Sequence, residues 1–234
     1  MDVSTVDTQE ISDAFALDDR HPRAKALPAY RPWAEIASAI SHGFGAVFGI
    51  VALCLLIPRA NRLSDGTATV SVSIFGSSLV LLYLMSTLYH ALPVSRAKRV
   101  FKVLDHASIY VLIAGTYTAY TPGVIRGALG WSVFGILWGC AAAGVSFEAF
   151  WVNRPKAVSA VLYVAMGWII VFLVGPVRTA LGGASFGFLL AGGVAYTAGA
   201  VLYTLKRLSW SHPLFHVFVL AGSVLHFMSV WTAL

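Results

Sequence analysis

The feature that most constrains this chain is a succession of seven apolar stretches, at about residues 36–57, 69–92, 104–125, 128–149, 157–177, 186–205 and 212–234. Each is long enough for a helix to cross the ~30 Å hydrocarbon core of a bilayer. Composition agrees. Hydrophobic residues make up 58% of the 234 and charged residues 11%, against roughly 25% charged in a soluble domain. A water-soluble globule of this size has too little interior to hide so much apolar surface. A soluble enzyme, a disordered chain and a disulfide-stapled scaffold are therefore excluded. The expected class is an all-α integral membrane protein, a seven-transmembrane helix bundle. Every backbone polar group of such a bundle is satisfied within its own helix.

The net charge of +6 does not point to nucleic acid, because the bases are scattered between apolar runs and form no stripe. Cys54 and Cys140 both fall inside apolar stretches and read as small core residues, neither a disulfide nor a metal pair. Residues 1–19 hold six acids and no base, unlike a signal peptide. Arg20, Arg23, Lys25 and Arg31 follow. Residues 1–32 thus read as a cytoplasmic tail, acidic then basic and mobile, and residues 33–234 as the membrane domain. Tyr30 and Trp33 suit the headgroup level.

The bases orient the bundle. With the N-terminus inside, the cytoplasmic segments hold Arg20, Arg23, Lys25, Arg31, Arg96, Lys98, Arg99, Lys102, Arg154, Lys156, Lys206 and Arg207. Only Arg59, Arg62, Arg126 and Arg178 remain outside. Twelve bases against four fits the positive-inside rule, with the C-terminus outside. Pro58, Pro93, Pro155 and Pro176 lie at or just beyond segment edges, where a helix stops or starts. Gly45 and Gly49, and Gly135 and Gly139, have the spacing of small residues that pack helices closely.

This topology brings distant polar groups to one depth. The second segment ends inside with Ser86 and His90. The third begins there with Asp105 and His106, and the seventh with His212 and His216. Ser86/His90 and His212/His216 are spaced i, i+4, so each pair projects from one helix face. Three imidazoles with room for a water form an open tetrahedral zinc site, although imidazole also suits other transition metals. Asp105 could take a proton from the water, and Ser86 could stabilise an oxyanion. Plainer readings stay open. Each histidine could hydrogen-bond across a helix interface. Asp105 could cap its helix or pair with the bases of residues 96–102, and Ser86 could simply pack. His42 could support the site or donate between helices. His106 points about 100° away from Asp105, and His226 lies about 15 Å beyond His216. Glu35 and Glu148 read as structural acids, Glu148 beside Arg154 or Lys156.

The ordered pieces Ser86-Thr-Leu-Tyr-His90, Leu104-Asp105-His106, Ser211-His212-Pro-Leu-Phe-His216 and His226-Phe227 resemble the hemolysin III family, the bacterial branch of the progestin and adipoQ receptors. Ser41-His42-Gly43-Phe-Gly45, Ile113-Ala-Gly-Thr-Tyr117-Thr and Tyr196-Thr-x-Gly-Ala200 extend the resemblance over residues 33–234. It implies a zinc (Zn2+) site at the cytoplasmic end, with His90, His212 and His216 as ligands, Asp105 acting on the bound water and Ser86 beside it. Adiponectin receptors and alkaline ceramidases share that constellation, and members there are linked to ceramide hydrolysis. Bacterial members are associated with membrane-lipid homeostasis. The expectation is a multi-pass plasma-membrane protein with a membrane lipid as substrate or ligand. It would act as a zinc-dependent lipid amide or ester hydrolase, or as a lipid sensor with a structural zinc. A hemolysin-like cytolysin is a third possibility.

Overall fold

The structure is a computed structural model that describes Leu27 and residues 30–63, 65–125, 127–151, 154–205 and 210–234. The tail over residues 1–26 lies outside the described residues, as do Arg126, Lys206 and Arg207 of the charge count. The described residues are helical and contain no strand.

Local chemistry sets the helix starts. Helix α1, Pro32–Asn61, begins on a proline, whose missing N–H is an orphan there in any case. Helix α2, Gly66–Ala91, is capped by Asp65, which accepts from the Thr67 N–H at 2.9 Å. Helix α3, Arg96–Tyr120, is capped by Ser95, which accepts from the Lys98 N–H at 3.1 Å. A π-helical turn over Thr121–Ile125 contains Pro122 and leads to α4, Gly127–Phe150. Helix α5, Lys156–Gly167, passes through a 3₁₀ turn, Trp168–Leu173, into α6, Val174–Thr204. Helix α7 is Ser211–Ala233.

Five of these helical runs are long and apolar enough to cross a membrane, the 49-residue run Lys156–Thr204 among them. That run is not straight. The Trp168 indole donates to the Thr197 hydroxyl at 2.9 Å, yet a continuous helix would hold residues 29 apart about 43 Å from one another. The chain folds back at Gly182, whose φ of 73° is open to glycine and costly for other residues. The 3₁₀ turn is secured by Tyr117, whose phenol accepts the Ile170 N–H at 2.6 Å and donates to the Gly167 carbonyl at 2.8 Å. Irregular backbone at membrane depth needs such partners. Helix α3 is not among the five apolar runs. Asp105, His106 and its tyrosines lower its hydropathy. It tolerates them because α2, α4, α5 and α7 surround it, and every residue from Ala114 to Pro122 is buried.

Several sequence expectations change here. Pro58 lies within α1, which continues to Asn61. Cys54 and Cys140 are exposed on the outside of the bundle. Gly45 and Gly49 pack as expected, against Tyr83 and Val80, but Gly135 and Gly139 face open space. The cause is common to these last two differences. Hydropathy records compatibility with an apolar medium, and a lipid-facing residue satisfies it as well as a core residue does.

Candidate metal centre

The end of the bundle where α1, α3 and α7 begin and α2 stops collects the polar groups. His90 occupies the last turn of α2, and His212 and His216 the first turns of α7. Helix α7 can start on His212-Pro213 because Pro213 falls among the first four positions, where no intrahelical N–H partner exists. All three histidines are buried. His212 Nε2 lies 3.2 Å from His90 Nε2 and 3.2 Å from His216 Nε2. One proton on His212 Nε2 can point well at only one of its two neighbours. The three donor atoms lie within 4.8 Å of one another. Two imidazole nitrogens on a tetrahedral zinc, each at 2.0–2.1 Å, stand about 3.3 Å apart. The donor set and its spacing therefore fit a metal ion.

The surroundings orient the rings. His90 Nδ1 is 2.6 Å from Glu35 Oε2, and the Lys98 ammonium is 3.1 Å from Glu35 Oε1. The His212 ring stacks on Tyr30 at 4.3 Å, and His216 lies 3.7 Å from the His42 ring. Tyr30 is thus a wall of the site rather than a headgroup anchor. Its phenol accepts from Lys156 Nζ at 3.0 Å. Burial and nearby acids hold that phenol well above the ordinary tyrosine pKa, so it stays neutral. His212 Nδ1 is buried without a hydrogen-bond partner, while the Ser38 backbone stands beside His216 and the His216 backbone beside His42.

Asp105 and Ser86 are neighbours, and Asp105 lies within electrostatic range of His90. Asp105 sits in the third turn of α3, because that helix begins at Arg96 rather than near residue 104. It is no cap, and the bases at 96–102 belong to its own helix. Its side chain keeps 13% exposure. A cavity of about 130 Å³ takes Ser86, Asp105, His212 and His216 as one end of its lining. Ile109, Leu112, Ile113, Phe215 and Val219 continue it toward Tyr120, Leu189 and His226. These polar groups thus sit at one end of a largely apolar space.

The remaining residues fall into supporting positions. His106 bonds through Nδ1 to the Lys102 carbonyl at 2.7 Å and through Nε2 to the Tyr203 hydroxyl at 3.0 Å. Glu148 pairs with Arg154, and the Tyr163 phenol reaches it at 2.9 Å. His226 Nε2 bonds the Leu189 carbonyl at 3.2 Å, apart from the triad. Glu35, which like Glu148 reads from the sequence as a structural acid, instead contacts a histidine of the triad. A first-turn carboxylate looks the same in sequence whether it complements a helix dipole or grips a histidine 55 residues away.

These features define a polytopic helical membrane protein with a buried histidine triad at one end of an apolar cavity. The matching family model is described as Haemolysin-III related and covers residues 30–227. The chain is 41% identical over 196 residues to Hemolysin-3 of Bacillus cereus, a span of 84% of this chain and 90% of that protein. It is also 41% identical over 196 residues to the Hemolysin-3 homolog of Bacillus subtilis (strain 168), covering 84% and 92% of the two chains. The protein belongs to the hemolysin III family. No solved structure matches it. The family match begins at residue 30, so Tyr30 and Glu35 fall within it and the acidic tail does not.

Proposed function

We propose that the protein is a zinc-dependent hydrolase of membrane-lipid amides or esters, working from the cytoplasmic end of a seven-span plasma-membrane bundle in membrane-lipid homeostasis. The reversal at Gly182 and the enclosed α3 support seven spans. The excess of bases in segments on the N-terminal side supports a cytoplasmic N-terminus and an outer C-terminus. The observation that carries the activity is the convergence of three buried imidazole nitrogens beside Asp105 and Ser86, at one end of a largely apolar cavity.

His90, His212 and His216 would hold the metal. When bound, zinc acidifies water and polarises a carbonyl. Asp105 takes a proton from the attacking water and returns it to the leaving amine or alcohol. The water oxygen forms a new bond to the acyl carbon, and the C–N or C–O bond breaks. Ser86 donates to the carbonyl oxygen as negative charge develops there. The apolar lining receives the acyl chain and excludes bulk water.

Fatty-acid release from ceramides and acyl esters, followed by mass spectrometry on the zinc-loaded protein in detergent, tests this reading. Release by wild type and its loss in Asp105→Asn is the expected result. Unchanged release in that variant would overturn the role given to Asp105. Zinc retained with no turnover on any lipid would favour a sensor with a structural zinc. The name of the two Bacillus relatives supports a second reading, cytolysis. Lysis of erythrocytes by purified protein, undiminished in a variant without the triad, would favour it over hydrolysis.

A further inference from the structure

We propose that Lys98 and Glu35 form a positioning relay that sets the metal affinity of His90, an inference that rests on the zinc centre proposed above. The relay joins three helices. Glu35 comes from the first turn of α1, His90 from the last turn of α2 and Lys98 from the first turn of α3. The ammonium of Lys98, a residue only 3% exposed, stands 3.1 Å from Glu35 Oε1. It also donates at 3.0 Å to the carbonyl of Leu92, the residue that ends α2. One cation thus holds both the carboxylate that grips His90 and the backbone end of the helix that carries it.

The chemistry fixes a tautomer. An ionised carboxylate can only accept, so its 2.6 Å contact places the proton on His90 Nδ1. That distance is short, as charge-assisted bonds are. In the neutral ring, the form that can ligate a metal, His90 Nε2 then carries the lone pair and faces His212. His212 Nδ1 has no hydrogen-bond partner, and His216 has the neutral Ser38 backbone beside it rather than a charged group. His90 is therefore the ligand whose tautomer a charged partner sets in advance, and the other two would close on the metal against it. Glu35→Gln offers either an amide oxygen or an NH2 group to Nδ1. The tautomer is then no longer imposed, and the form with the proton on Nε2 cannot ligate. Lys98→Met keeps the length of the side chain and removes its charge and donors, so Glu35 is less firmly placed.

The test is zinc affinity of the detergent-solubilised full chain by chelator competition, with cobalt substitution giving a visible absorption band for the ligand field. Glu35→Gln should weaken zinc binding about 10–100-fold, the range for residues that orient a histidine ligand, and should shift the cobalt band. Lys98→Met should weaken it less and in the same direction. Melting of the metal-free proteins separates misfolding from mispositioning. If wild type binds no zinc, the centre itself fails and the relay with it. If wild type binds zinc and Glu35→Gln binds it equally well, the relay alone is overturned. Should Glu35→Gln not fold, unchanged affinity in a well-folded Lys98→Met overturns the relay.

Discussion

Helix α7 buries histidines in two regions, His212 and His216 at its start and His226 further along, and their surroundings differ. Around His226 donors meet acceptors, His226 Nδ1 excepted. Its Nε2 bonds the Leu189 carbonyl, the phenols of Tyr83 and Tyr196 reach Ser223 at 2.6 and 2.7 Å, and Ser185 and Ser229 exchange hydroxyl-to-carbonyl bonds at 2.7 Å. At the start of α7 three imidazole nitrogens are turned toward one another, and a proton on His212 Nε2 can serve only one of its two contacts. The first arrangement pairs every one of these groups but His226 Nδ1 within the protein, and it joins helices. The second would be completed by a cation that shares the lone pairs. In an apolar bundle, complementarity of the buried partners distinguishes a structural polar cluster from a binding site more sharply than burial does.

The contrast can be broken at either region. The largest effect is expected from His216→Ala, which removes a ligand. Zinc affinity should fall by more than the roughly 100-fold upper range for a supporting residue, as read by chelator competition. Asp105→Asn comes next, with zinc retained by elemental analysis and lipid turnover reduced about 10²–10⁴-fold. Metal loss in that variant would make Asp105 a structural partner of the triad. At the other region, Gly192→Ala places a β-carbon against the His226 ring. Overpacking of this kind costs about 1–3 kcal/mol, so thermal unfolding should come earlier while zinc content stays unchanged. The smallest effect is expected from Tyr196→Phe, which removes one hydrogen bond to Ser223. It should lower stability by about 0.5–1.5 kcal/mol and leave zinc and turnover intact. If Gly192→Ala or Tyr196→Phe instead released the metal, the two regions would be one coupled unit.

The helical membrane class was legible because apolar runs of bilayer length have few other uses. The triad was legible because topology alone brings the end of α2 to the start of α7, and the i, i+4 spacing turns His212 and His216 to one face. The rest was hidden for identifiable reasons. Glu35 is bound to its role by a fold that pairs it with a residue 55 positions away, and nothing local marks that. Tyr30 has the aromatic character of an interfacial anchor, and only the packing of α1 against α7 makes it a lid on His212. Asp105 looked like a helix-start residue because the bases before it interrupt the apolar run, yet α3 extends back through them to Arg96. Cys140, Gly135 and Gly139 share an apolar helix with buried Leu137, and their outward placement follows from which side faces a neighbour. Lipid removes the amphipathic stripe that would reveal this in a soluble helix.

The most direct measurement is the metal content of the purified full-length protein by elemental mass spectrometry, beside the His90→Ala, His212→Ala and His216→Ala variants. About one zinc per chain is expected in wild type, lost in all three variants while the fold remains. A well-folded wild type without metal that also refuses added zinc would contradict it, and the three imidazoles would then be bonded to one another.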